Sequence, residues 1–242
     1  MKYFGIDGCR KGWFYVGIDE NDQYEFEIVS AFNEILPIVN KAEQVLVDIP
    51  IGLREKEPLE RLCDLEARKI LGPRRSSVFP PPSRLALVTD SYKQASQLNF
   101  QYTGRRLSQQ SFAISKKIKE VDEFILAYKK QDKCREMHPE VCFWALNNYQ
   151  AMNFNKKKID GFEERRFILK KYFSNTNKLI EEARSKYLKK DLATDDILDA
   201  IVGAISARFN NNLKQLPNFP ETDAKGLKME IVYVNIYNQV IH

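Results

Sequence analysis

Histidine is nearly absent from this sequence: of its 242 residues only His138 and His242 are histidines. That scarcity excludes a His-rich zinc centre. The four cysteines, Cys9, Cys63, Cys134 and Cys142, form no C-x-x-C pair. Without a leader-like segment they predict free thiols in a reducing compartment. No apolar run approaches the length needed to span a bilayer, and Met1 passes almost directly into a strand-like pattern, so a cytoplasmic protein is expected. Neither an internal repeat nor a low-complexity tract is present. Any metal would be held mainly by oxygen, which points to Mg²⁺ or Mn²⁺.

What is present is an ordinary globular composition, 43% hydrophobic and 29% charged, with a formal net charge of +5. The length allows one sizeable core with insertions. The basic excess is concentrated in residues 51–130, which carry 16 Lys and Arg against 9 Asp and Glu. Such a surface permits a polyanionic partner without demanding one.

The N-terminal third reads as a sheet. Tyr3–Asp7 and Trp13–Asp19 are apolar runs joined by a Gly-bounded loop, the pattern of a hairpin. A third strand is expected over Tyr24–Ser30 and a short helix over Ala31–Asn40. Val45–Ile49 is apolar on both alternating faces except at Asp48, which suits a central strand covered on both sides. Both early strands thus end in an acid, and in open α/β sheets ligands bind outside the carboxyl ends of the strands. Each acid also has a simpler reading, because Asp7-Gly8 is a common turn dipeptide and Asp48 can bond the loop that follows.

Residues 54–130 read as a largely helical insertion. Helices are expected over 59–72, over Ser91–Asn99 and over 108–130. Between the first two lies a Pro-rich loop carrying Arg74, Arg75 and Arg84 beside Ser76 and Ser77. Guanidinium forks and hydroxyls match phosphate oxygens, so these five are candidate substrate-binding residues. Cys134–His138 returns to strand character and leads into a helix over Val141–Asn148, with His138 and Glu140 near the strand end. Two Lys- and Arg-rich helices, Gly161–Phe173 and Asn177–Leu188, read as solvated on their exposed sides. A polar loop over Asn210–Lys228 and a final strand over Met229–Tyr237 complete the chain.

The stretch Thr194–Arg208, TDDILDAIVGAISAR, combines two properties. Thr194 is the expected N-cap, and Ile197, Leu198, Ile201, Val202 and Ile205 form an apolar stripe at helical spacing. Opposite them stand Asp195, Asp196 and Asp199. The first two suit the positive end of the helix dipole, but Asp199 lies beyond its reach and beside both of them. Like charges so placed repel unless a cation sits between them.

The order of strands and acids resembles that of the RNase H-like fold. GID at 5–7 resembles the first-strand motif of that superfamily, and DILDA at 196–200 resembles the Asp/His-x-x-Asp-Ala helix motif of Holliday-junction resolvases. More closely, the chain resembles the predicted RNase H-like nucleases grouped as domain of unknown function 429. The matching stretches are GIDGCRKGW, VDIPIGL, CDLEARKILGPRRSSVFPPPSR, SQQSFAISKKIKEVD, REMHPEVCF, TDDILDA and DAKGLKMEI. The resemblance implies a single α/β domain over 1–242, with a mixed central sheet flanked by helices. It implies Asp7, Asp48, Asp196 and Asp199 as catalytic carboxylates and metal ligands. Resolvases usually carry Glu where this chain has Asp48, so Glu140 is a further candidate ligand, with His138 and Asp195 beside it. Carboxylates of this kind hold two divalent ions roughly 3.5–4 Å apart, which activate water and stabilise the leaving oxygen of a phosphodiester. The expected function is a metal-dependent nuclease acting on nucleic acid or a nucleotide.

Two rivals share the fold. An actin-like ATPase or sugar kinase needs a second Gly-rich phosphate loop, and CREMHPE at 134–140 has no glycine. A non-catalytic nucleic-acid- or nucleotide-binding protein would keep its ligand affinity when divalent metal is withdrawn.

Overall fold

Apolar or small residues at nearly every position make Tyr3–Cys9 (β1) a strand that can be covered on both faces, and it lies at the centre of the sheet. The computed structural model describes residues 1–236; Tyr237 and His242 lie outside the described residues. β1 turns into Gly12–Ile18 (β2), pairing antiparallel from Cys9↔Gly12 to Tyr3↔Ile18. Glycine is required at the start of β2: Gly12 has φ +146°, and a Cβ there would stand 2.0 Å from the Val29 carbonyl oxygen. Tyr24–Val29 (β3) pairs antiparallel with β2. After a 3₁₀ turn and Leu36–Lys41 (α1), Gln44–Val47 (β4) adds to the other side of β1 in parallel. Cys134–Glu136 (β5) adds in parallel to β4, giving a five-stranded mixed sheet in the order β3-β2-β1-β4-β5.

Between β4 and β5 run Leu62–Leu71 (α2), Tyr92–Thr103 (α3), Gln109–Ala113 (α4) and Ser115–Tyr128 (α5). These helices lie in the region expected as one insertion over 54–130. Ile118, Val121, Phe124 and Ile125 of α5 join Phe4, Ile6, Val45 and Val47 in one core, so α5 is a layer of the sheet. The helix expected over 108–130 breaks at Ile114 into α4 and α5.

The other face is covered by Pro139–Leu146 (α6), Ile159–Tyr172 (α7), Thr176–Lys186 (α8) and Thr194–Arg208 (α9). The sequence pattern predicts one apolar stripe on α9, yet every residue from Ile197 to Ala207 is buried. The side opposite the stripe is made of small residues and lies against β1, not water. The expected polar loop over Asn210–Lys228 instead contains Leu213–Thr222 (β6), which pairs with Lys228–Val234 (β7) in a separate two-stranded sheet. An isolated parallel bridge from Met137 to Val232 joins that hairpin to the end of β5. No helix among the described residues is long and apolar enough to cross a membrane.

Candidate metal centre

Strand periodicity decides which way the acids face. Side chains alternate across a strand, so Tyr3, Gly5 and Asp7 share one face of β1 while Phe4 and Ile6 share the other. Phe4 and Ile6 join the α5 core, whereas Gly5 meets α9. Asp7 therefore stands on the α9 side. The same alternation along β4 sends Val45 and Val47 to the α5 core and Leu46 to the α9 core. Asp48 follows on the α9 side, and its N–H donates to the Ile6 carbonyl at 2.9 Å, continuing the pairing of β1 with β4.

The approach of α9 is unusually close. A Cβ on Gly5 would stand 2.0 Å from the Ala200 carbonyl oxygen and 2.2 Å from the Ala204 nitrogen. No residue but glycine fits against another backbone at that distance. Asp199, in the second turn of α9, is thereby carried to the strand ends. Ligand oxygens of Asp7, Asp48 and Asp199 lie within 4.8 Å of one another.

The expected fourth acid is not in that group. Asp196 accepts the Ala193 N–H at 2.9 Å, and Ala193, not Thr194, is the N-cap. The helix N-terminus leaves N–H groups without intrahelical partners, and a carboxylate at the third position is well placed to take one. Asp195 also stays apart, 3.8 Å from the Lys156 ammonium.

Burial dominates the electrostatics. Asp7 is 8% exposed and Asp199 1%. Desolvation, then the charges of Asp48, Asp199 and Asp196, raise the Asp7 carboxyl well above its ordinary value. Asp48 is pushed up to about 8 by burial and by Asp199. Asp196 rises to about 6 through burial, against the N–H bond from Ala193. Asp199 is raised by burial although the Lys156 ammonium opposes the shift. That ammonium donates to Asp199 Oδ2 at 2.5 Å. The other oxygen, Oδ1, is buried without a hydrogen-bond partner. A buried carboxylate oxygen left unpaired costs about 1–3 kcal/mol or more. Three converging carboxylates with one orphan oxygen could hold a metal ion, and the donor set, all oxygen, suits a hard divalent cation.

A cleft of about 520 Å³ opens over these strand ends. Asp7, Asp48, His138 and Glu140 line it, facing Arg74, Ser76, Ser77, Lys117, Lys156 and Lys157. Arg74 is anchored through its Nε, which donates to the Met152 carbonyl at 2.8 Å. His138 Nε2 lies 3.3 Å from the Ser77 carbonyl while Nδ1 has no partner, and burial lowers the ring's pKa. Glu140 Oε1 accepts from Arg165 at 2.5 Å, and its Oε2 is buried without a partner. Arg75 is exposed and does not line the cleft. Arg84 corrects the sequence expectation most clearly. It donates to both oxygens of Asp122 at 2.9 and 2.8 Å and also pairs with Asp223 and Glu55. Three carboxylates already satisfy its guanidinium, so Arg84 braces the β6–β7 turn and does not face the cleft.

Several contributors were not singled out from the sequence. Arg61, fully buried, donates to Asp64 at 2.6 and 3.0 Å and to Glu136 at 2.7 and 2.8 Å. Glu136 also accepts the Ile51 N–H at 2.6 Å, and burial pushes it up to about 7 against the pull of Arg61. This network fixes the loop that follows Asp48. Lys156 lies within the Lys156–Lys158 run, and Arg165 lies in a helix dense with charge. Nothing in their spacing separates them from solvated residues.

Residues 5–222 match the family described as a protein of unknown function, DUF429. No curated protein and no solved structure matches the chain.

Proposed function

We propose that this chain, which belongs to the DUF429 family, is a metal-dependent nuclease that hydrolyses phosphodiester bonds on an RNase H-like scaffold. The observation that carries the reading is the meeting of Asp7, Asp48 and Asp199 within 4.8 Å, with Asp199 Oδ1 buried and unpartnered. Repulsion among buried acids gives no folding advantage, so the arrangement calls for a cation. The sheet order, with an antiparallel β1–β3 unit and β4 and β5 added in parallel, supports the scaffold.

Mg²⁺ or Mn²⁺ bound there would supply an activated water and stabilisation of the leaving oxygen. Asp7, Asp48 and Asp199 would hold it, and Glu140 offers a further oxygen from the same cleft. Asp196 acts indirectly, by clamping the first turn of α9. Arg74, Ser76, Ser77 and Lys117 offer phosphate oxygens their donors across the cleft. About 520 Å³ suits one nucleotide or the end of a strand, whether free or part of a nucleic acid.

The test is cleavage of labelled single- and double-stranded DNA and RNA in Mn²⁺ and in EDTA, by the wild type and by Asp199→Asn. Activity that needs Mn²⁺ and vanishes in the variant supports the proposal. The Lys156–Asp199 ion pair favours a second reading, binding without cleavage. Nucleic-acid affinity that is unchanged by EDTA, with no cleavage under any condition, would replace the first reading with the second.

A further inference from the structure

The ammonium of Lys156 stands where a cation is needed. It is 2.5 Å from Asp199 Oδ2 and 3.8 Å from Asp195 Oδ2, on the rim of the cleft that Asp7 and Asp48 line. The backbone that carries it is tied down. The Asn153 and Phe154 N–H groups donate to the Glu164 carboxylate at 2.8 and 3.1 Å, and Arg165 donates to the Phe154 carbonyl at 3.1 Å. Gly161 leaves room for the turn, since a Cβ there would stand 2.0 Å from the Asn155 carbonyl oxygen. The Lys156 side chain, by contrast, is 34% exposed and flexible along its four-carbon stem. Its ammonium can leave Asp199 by side-chain rotation into the cleft, without opening the loop.

We infer that Lys156 is a resident counter-cation: its ammonium neutralises the carboxylate cluster in the metal-free protein, and a divalent cation binds by displacing it. The inference rests on the metal-centre reading given above. An ammonium and a divalent ion cannot share one buried carboxylate without strong mutual repulsion. The apparent metal affinity is therefore lowered by the fraction of molecules in which the lysine still occupies the cluster. The exchange also favours a doubly charged ion over a monovalent one, because only the former adds positive charge beyond what the lysine removes.

Calorimetric titration of the full chain with Mn²⁺ tests this, using the wild type, Lys156→Ala, Lys156→Gln and Lys157→Gln. Lys157 lines the same cleft, and its replacement removes the same charge from a neighbouring position. The Lys156 variants are expected to bind Mn²⁺ on the order of tenfold more tightly, and to melt lower than the wild type in EDTA. Lys157→Gln is expected to change neither quantity. Unchanged or weaker binding by both Lys156 variants overturns the inference while leaving the metal centre standing. Equal tightening by Lys157→Gln overturns it too, because net charge would then account for the effect. If Lys156→Ala does not fold, Lys156→Gln decides alone. Absence of Mn²⁺ binding by every protein, wild type included, removes the metal centre and the inference with it.

Discussion

Gly203 in α9 lies so close to Gly5 in β1 that a Cβ on Gly203 would stand 3.0 Å from the Gly5 Cα. The pair acts as a spacer set to zero. Asp7 lies two residues further along the strand, and Asp199 lies four residues back along the helix, so the gap between the two elements fixes the gap between the two carboxylates.

Widening that gap should be costly and should disperse the site. Gly5→Ala drives a methyl group into the α9 backbone, with the Ala200 oxygen only 2.0 Å away. The expected loss is about 3 kcal/mol or more, the upper end for overpacking. In Gly203→Ala the nearest atom is the flexible end of Met137, at 2.9 Å, so a smaller loss is expected. Urea denaturation ranks the two variants, and Mn²⁺ should raise the melting temperature of the wild type more than that of either. A Gly5→Ala protein as stable as the wild type would contradict the packing described here.

Stability without metal should fall as the pH rises. Asp48 titrates near 8 in the folded protein because burial and Asp199 oppose its charge. Its folded pKa lies above its unfolded one, so its stabilising contribution is complete below about pH 4 and is lost as the pH climbs towards 8. Melting temperature in EDTA should decline across that window, less steeply for Asp48→Asn, and saturating Mn²⁺ should flatten the wild-type curve. Identical slopes for wild type and variant would show that Asp48 does not titrate in this range.

Metal uptake should release protons. Asp7 and Asp48 both carry raised pKa values, so near neutral pH the metal-free cluster is partly protonated, and an ion must expel those protons. Mn²⁺ affinity is expected to weaken as the pH falls from about 8 to about 6. Titrations in two buffers of different ionisation enthalpy count the protons released. A count of zero would mean that the carboxylates are already ionised.

Two arginines from the same loop should behave differently. Arg74→Ala removes a guanidinium from the cleft wall and should weaken nucleic-acid binding while reducing its salt dependence by about one phosphate contact. Arg84→Ala strands Asp122 and leaves the buried Asp223 carboxylate only its backbone N–H donors, and should cost about 3–5 kcal/mol of stability. Filter binding across a salt series and urea denaturation separate the two outcomes. An Arg74→Ala salt slope equal to that of the wild type would remove the loop from the binding surface.

The acids at the strand ends were legible in the sequence because each interrupts or ends an apolar run. Asp199 was legible because it lies too far along α9 to serve the dipole. Asp196 sits within reach of the dipole and was grouped with Asp199 only through the resemblance; its bond from the Ala193 N–H shows that it serves the helix end. Arg84 and Arg74 look alike in a Pro-rich stretch, and the partners of Arg84, Asp122 and Asp223, are remote in sequence. β6 escaped notice because LKQLPNFPET contains two prolines and its pairing shifts register between Leu216 and Glu221, which erases the alternation of a regular strand. Lys156 had no signature beyond belonging to a lysine run.

The seam between β1 and α9 also orders events during synthesis. A nascent chain displays Asp7 and Asp48 long before Asp199 leaves the ribosome, because Asp199 follows Asp7 by 192 positions (199 − 7) and Asp48 by 151 (199 − 48). Until α9 arrives, the face of β1 and β4 that it packs on lacks its main cover, and contacts this distant in sequence form slowly. A growing chain thus passes through a stage with one sheet face incompletely covered and an incomplete set of carboxylates. Asp7, Asp48 and Asp199 meet only once α9 docks.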